Sequence, residues 1–252
     1  MVQLSRASYS SGDFPTDSVM NTTQGITSLP DRHPYFRACR KGDLEALKGF
    51  WSQGISIYAS GEITRDAMGI AFERKNIALM DLLFAYGFEV DHPLDVHGTS
   101  PLVVALRNRD LVLVNYFLKR GADVNRPNDY GHTPIVAPVG LGDMTLLKLL
   151  EEHGANLLAK TNQGQDLFWI AASAGRFQMM EYIHSKGFEV DTRDVADTTP
   201  LINAAQRGAV DVCRWLLEHG ADKNARDKSN KTALDYARIN KHKTVVELLE
   251  KT

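Results

Sequence analysis

Thr199-Pro200-Leu201-Ile202-Asn203-Ala204-Ala205-Gln206-Arg207-Gly208 runs on into Val210-Asp211-Val212-Cys213-Arg214-Trp215-Leu216-Leu217-Glu218-His219-Gly220-Ala221-Asp222. The stretch reads as two helices with their stop signals. A threonine hydroxyl before the first helix accepts from an orphan backbone N–H, and proline fills the first turn, where its missing N–H costs nothing. Gly208 suits the turn between two antiparallel helices because it tolerates positive φ. Leu216-Leu217 lies on the apolar stripe of the second helix, and Gly220 ends it.

The same anchors recur along the chain. The proline position falls at Pro34, Ala67, Pro101, Pro134, Leu167, Pro200 and Ala233, at intervals of 33, 34, 33, 33, 33 and 33 residues. Ser100-Pro101-Leu102 through Phe117-Leu118-Lys119-Arg120-Gly121-Ala122-Asp123-Val124-Asn125 keeps the anchors in the same order, and Leu82-Leu83 and Leu149-Leu150 repeat the paired apolar residues. A period of about 33 residues with a Thr-Pro-Leu signature resembles the ankyrin repeat. The resemblance implies an all-α solenoid of stacked helix-turn-helix units with β-hairpin fingers. Such a unit cannot bury its apolar face alone, so stability comes from stacking. Six full repeats and a truncated seventh are expected over residues 31–252, with wetted capping units at His33-Pro34 and at Thr232-Ala233.

Residues 1–30 differ in kind. Ten of the thirty are Ser or Thr, with Gly12, Gly25, Pro15 and Pro30 among them and no helical or strand period, so a disordered tail is expected. Hydrophobic residues make up 43% and charged residues 24% of the chain, ordinary for a globular protein, and two distant cysteines argue against a disulfide scaffold or a four-ligand zinc site. Without an apolar run of membrane-spanning length or a signal-peptide pattern, the chain is expected to be cytoplasmic or nuclear and to avoid membranes. A net charge of -2 gives no drive toward nucleic acid. A monomer without cofactor or metal is expected.

Eight histidines invite a search for catalytic groups, but no P-loop, G-x-S-x-G, H-E-x-x-H or paired-cysteine motif is present, so no enzyme is expected. His153 and His219 precede helix-ending glycines, where an imidazole meets the negative helix end. His33 stands as a substitute cap, Trp169 and the stripe residues Trp51 and Trp215 as core. Glu151 and His184 occupy equivalent positions in adjacent repeats and suggest an ion pair. Pro138 replaces the alanine kept at Ala38, Ala71, Ala105, Ala171, Ala204 and Ala237, which predicts a bent or shortened helix. The extra residue behind the interval of 34 is assigned to a bulging finger at His92-Pro93-Leu94.

What the resemblance implies for function is binding, commonly along the concave face and finger tips. Carried over by position, the partner-binding residues are Arg74, Arg107, Asn108, Tyr130, His132, Leu141 and Arg207. Arg40, Lys41, Arg65 and Arg109 add to a basic N-terminal half opposed by Glu73 alone, and such cations suit an acidic or phosphorylated protein segment. Tyr130, an exposed aromatic at a finger tip, is the expected anchor. The resemblance admits an adaptor, a scaffold, a proteasome-type assembly chaperone or an inhibitor of a kinase or transcription factor. It also marks Asn125 and Asn224 as the finger asparagines that asparaginyl hydroxylases modify in many such proteins.

Overall fold

A computed structural model describes residues 25–61 and 65–251. Fourteen helices are present among them, in seven consecutive pairs: α1 (Pro34–Lys41) with α2 (Leu44–Ser52), α3 (Ala67–Glu73) with α4 (Ile77–Ala85), α5 (Pro101–Arg107) with α6 (Leu111–Lys119), α7 (Val136–Leu141) with α8 (Met144–Glu152), α9 (Leu167–Ser173) with α10 (Phe177–Ser185), α11 (Pro200–Arg207) with α12 (Val210–Glu218), and α13 (Ala233–Ile239) with α14 (Lys243–Lys251). They fall into two compact units, one ending at Phe88 and the other Glu89–Thr252.

The first helices of the pairs follow the expected capping chemistry with two exceptions, α5 and α7. Thr199 accepts from Ile202 N–H, Thr232 and Asp235 form a reciprocal capping box, and His33 does act as a cap, its Nδ1 accepting from Tyr35 N–H at 3.1 Å. Ser100 and Thr133 do not cap: both hydroxyls are buried without a hydrogen bond. Among the second helices, α2, α4, α6 and α8 are capped by Asp43, Asn76, Asp110 and Asp143, residues the anchor pattern did not single out, whereas Arg176 and Ala209 leave α10 and α12 without a side-chain cap.

The turn between paired helices demands a left-handed residue whatever the sequence supplies. Gly42, Gly142, Gly175 and Gly208 have φ between 63° and 73°, and Lys75, Arg109 and Lys241 are forced to 51°, 54° and 61° at the equivalent positions. The geometry belongs to the two-helix unit, and glycine only makes it cheaper.

In the unit ending at Phe88, α1 packs on α3, and the segment after α2 is a strand in place of a finger. β2 (Ile55–Ser60) packs against α2 and α3 and pairs in parallel with β1 (Ile26–Ser28), Ile26 opposite Ile55 and Ser28 opposite Ser60. The tail expected over residues 1–30 is thus corrected at its end: residues 25–30 join this structure, with Leu29 buried, because the Gly54 and Ser60 carbonyls at the two ends of β2 accept from Ile26 and Leu29 N–H. Residues 1–24 lie outside the described residues.

In the unit Glu89–Thr252, α5, α7, α9, α11 and α13 pack each on the next, and α12 packs on α14. Its core is drawn from both helices of each pair: Leu102, Phe117, Leu147, Phe168, Met180, Leu201 and Leu216 are all fully buried. Trp169 and Trp215 are buried as expected, Trp169 with its Nε1–H donating to the Thr198 carbonyl at 3.2 Å.

The helix carrying Pro138 is shortened. α7 begins at Val136, two residues later than α5 or α11, because Pro138 offers no N–H to the carbonyl of residue 134; Val136 and Ala137 instead donate three residues back, to Thr133 and Pro134. Pro138→Ala is expected to extend α7 toward Pro134 and raise stability by about 1–2 kcal/mol, the helix penalty less the lost restriction of the unfolded chain. Slower amide exchange across residues 134–141 would show it; unchanged exchange would mean the neighbouring repeats, not Pro138, set the helix start.

Candidate functional site

The fingers of the larger unit are built on one turn repeated every 33 residues. Asp95, Asn128, Thr161, Asp194 and Asp227 each accept side-chain hydrogen bonds from the backbone N–H groups two and four residues on, such as Tyr130 and His132 onto Asn128 Oδ1, both at 3.0 Å. A backbone bond from the turn residue closes the loop, Asn128 N–H to the His132 carbonyl at 3.1 Å, so the fingers are tight turns that fall short of the expected β-hairpin strands. Adjacent fingers are then tied tip to tip by N–H bonds from Asp129 to His97, Asn162 to Tyr130, Val195 to Gln163 and Lys228 to Ala196. The extra residue at His92-Pro93-Leu94 shifts the closing bond, Leu94 rather than Asp95 donating to Thr99.

This ladder presents Tyr130. The ring is 51% exposed, yet it lies 5.4 Å from the His97 ring and 6.0 Å from His132, and its Oη is 3.2 Å from His97 Nδ1. Arg107, the last residue of α5, is exposed, with Asn108 following as its C-cap. Burial first, and then the positive charge of Arg107, hold the His132 imidazole below its ordinary value, so it is neutral at pH 7. Tyr130, His132 and Arg107 therefore form one patch, with His97 as a member that the repeat pattern did not flag.

The remaining expected residues fare differently. Leu141 ends α7, and its carbonyl accepts from Arg109 Nη2 at 3.1 Å. Arg207 hydrogen-bonds the Ser173 carbonyl and, at 3.0 Å, the Ser173 hydroxyl. Arg176 does the same to Gly140 at 2.9 Å, so three arginines serve as clamps on the carbonyl end of the neighbouring repeat's first helix, where cations meet the negative helix end. Arg74 is the exposed C-cap of α3 in the other unit. The expected basic array is thinner than its composition, because Arg65 pairs with Glu73 at 3.3 Å and Arg109 with Asp143 at 3.6 Å.

The expected Glu151–His184 pair does not form. Glu151 accepts from Tyr182 Oη at 2.6 Å with Lys186 Nζ 3.7 Å away, whereas His184 Nδ1–H donates to the Phe188 carbonyl at 2.8 Å among the rings of Phe168, Trp215 and His219. A phenol and an ammonium in reach satisfy the carboxylate, and the Phe188 carbonyl, in the loop that follows α10, takes the imidazole. His153 and His219 do bind helix-end carbonyls, of Leu149 and Trp215. Cys39 and Cys213 are buried, and burial pushes both thiols up to about 12, far from reactive thiolate.

Comparison with known proteins bears on this architecture. A model of three ankyrin repeats matches residues 168–252, and a single-repeat model matches residues 97–129. The chain belongs to the ankyrin-repeat family. It is 25% identical over 92% of its length to the ankyrin repeat protein nuc-2 of Neurospora crassa, and 22% identical over 68% to the putative ankyrin repeat protein L371 of Acanthamoeba polyphaga mimivirus. A transient receptor potential cation channel subfamily A member 1 homolog of Caenorhabditis elegans is 23% identical over 94% of the chain. The chain spans only 22%, 23% and 19% of these proteins, so the likeness is one of ankyrin segments. Ankyrin repeats generally mediate protein–protein interaction, and no helix among the described residues is long and apolar enough to cross a membrane.

Proposed function

We propose that this ankyrin chain is a non-enzymatic binding module, cytoplasmic or nuclear, acting as an adaptor, scaffold or stoichiometric regulator. Its partner protein docks on the finger edge at Tyr130, His132, Arg107 and Asn108. The observation that carries the reading is Tyr130: a half-exposed aromatic side chain already held by an Asn128-centred turn and two imidazoles. A pre-ordered aromatic loses little freedom on binding, and such side chains supply much of the energy of protein interfaces. Arg107, which makes no ion pair among the described residues, adds a cation for a carboxylate or phosphate, so the segment bound is acidic or phosphorylated.

Arg74 of the other unit remains a second candidate cation for the same kind of segment, whereas the clamp on Ser173 removes Arg207 from the front rank. The test is affinity capture from native lysate with the intact chain beside a Tyr130→Ala/Arg107→Glu variant whose circular dichroism is unchanged. A protein retained by the intact chain and lost at least tenfold by the variant, about 1.4 kcal/mol or more, is the expected result. Equal retention would discard this patch as the docking site.

A further inference from the structure

One repeat junction of the larger unit lacks a bond that its neighbours make. Asn125 spans to the next repeat with both ends of its carboxamide: Oδ1 accepts from Asn156 N–H at 2.7 Å, and Nδ2 donates to the Gly154 carbonyl at 3.0 Å. Asp91 and Asp191, the equivalents in other repeats, accept from Asp123 N–H at 3.0 Å and Asp222 N–H at 2.9 Å. The next position in the series is Leu158, which has no polar group to offer. The matching groups of the following repeat, Glu189 N–H and the Gly187 carbonyl, have no hydrogen-bond partner among the described residues. Leu158 does not fill the gap either, for its side chain is 75% exposed.

A cleft of about 590 Å³ opens at this junction, and Leu158, Gly187, Phe188 and Glu189 line it. Its wall holds three cations, Lys160, Lys186 and Arg193, against three carboxylates, Asp166, Glu189 and Asp191, a balance that favours a neutral polar ligand over an ion. Asp191 Oδ1 is buried without a hydrogen bond, a sign that this junction is incompletely bonded. We infer that this cleft is a binding site for a primary carboxamide, the side chain of an asparagine or glutamine on an extended partner segment. The carboxamide takes the place Asn125 fills one repeat earlier: its oxygen accepts from Glu189 N–H and its NH2 donates to the Gly187 carbonyl, while Leu158 and Phe188 cover the adjoining apolar residue. A carboxylate supplies only the first of these bonds, because it has no proton for the carbonyl. The site shares no residue with the Tyr130 patch and stands whether or not that patch binds a partner.

The test uses the isotope-labelled intact chain and three capped tripeptides that differ only at the centre, Asn, Asp or Leu. The Asn peptide is expected to shift the Glu189 amide resonance saturably, with affinity about tenfold above the Asp and Leu peptides, the worth of one well-made hydrogen bond or more. Leu158→Asn, which supplies the missing carboxamide from within the chain, should abolish the shift and raise the urea midpoint. Leu158→Ser, which removes the leucine without bridging, should keep the preference for Asn. Equal or tighter binding of the Asp peptide, loss of the preference in both variants, or no shift at millimolar peptide would each overturn the assignment.

Discussion

Phe168→Ala is expected to lower the unfolding free energy of the larger unit by about 3–5 kcal/mol, the range for deleting a fully buried aromatic ring. Phe168 sits in α9 with no exposed surface, 6.0 Å from the Trp215 ring and 6.2 Å from His184, so its removal empties a space walled by two repeats. In a stacked architecture that loss falls on a repeat and its interface at once. Urea unfolding followed by far-ultraviolet circular dichroism and tryptophan fluorescence should show an earlier midpoint, and the two probes should separate if residues 168–252 unfold first. A loss under about 1 kcal/mol would mean that the neighbouring side chains collapse into the gap.

The opposite sign is expected at Asp91. Its Oδ2 accepts from Asp123 N–H, but Oδ1 is buried with no hydrogen bond, at the place where Asn125 has an amide that donates to the next repeat. Burial raises the carboxyl above its usual range; the Asp123 N–H and Arg126 oppose this, and Asp123 and Glu89 reinforce it. A carboxyl whose folded-state pKa is raised binds its proton more tightly folded than unfolded. Asp91 therefore costs stability at neutral pH and costs less as the pH falls through its raised pKa. Asp91→Asn is expected to stabilise the chain by about 1–3 kcal/mol at pH 7, the cost of an unsatisfied buried polar atom, and the gain should shrink on acidification. Urea midpoints of both proteins from pH 7 to pH 4 measure this. A gain that does not change with pH would assign the effect to packing and not to the missing donor.

The candidate site was legible where a residue's role depends on its own repeat. The exposure of Tyr130, the capping by His33 and the shortening at Pro138 follow from local backbone chemistry, which the 33-residue register puts in plain view. The roles of Arg109, Arg176 and Arg207 were not legible, since each guanidinium is spent on a carbonyl more than thirty residues away in sequence. Glu151 shows the same limit: repeat equivalence places it beside His184, but Tyr182 and Lys186, four residues apart and so on one face at the end of α10, reach it while His184, two residues from each, turns to another face. The finger-turn acceptors at Asp95, Asn128, Thr161, Asp194 and Asp227 carried a signal at the same period, masked because Asp, Asn and Thr fill one role.

By itself the sequence determined the helix pairs, their register and the family, because caps, stripes and stops act within a few residues and recur at a fixed interval. Only the tertiary structure decided three things: that β1 joins β2, that arginines clamp helix ends across repeats, and that Leu158 leaves an N–H and a carbonyl unbridged beside a cleft. The physical reason is the same in each case. A hydrogen-bonding group must find a partner or face water, and which partner lies within about 3 Å is set by the stacking of neighbours and not by the order of residues along one repeat.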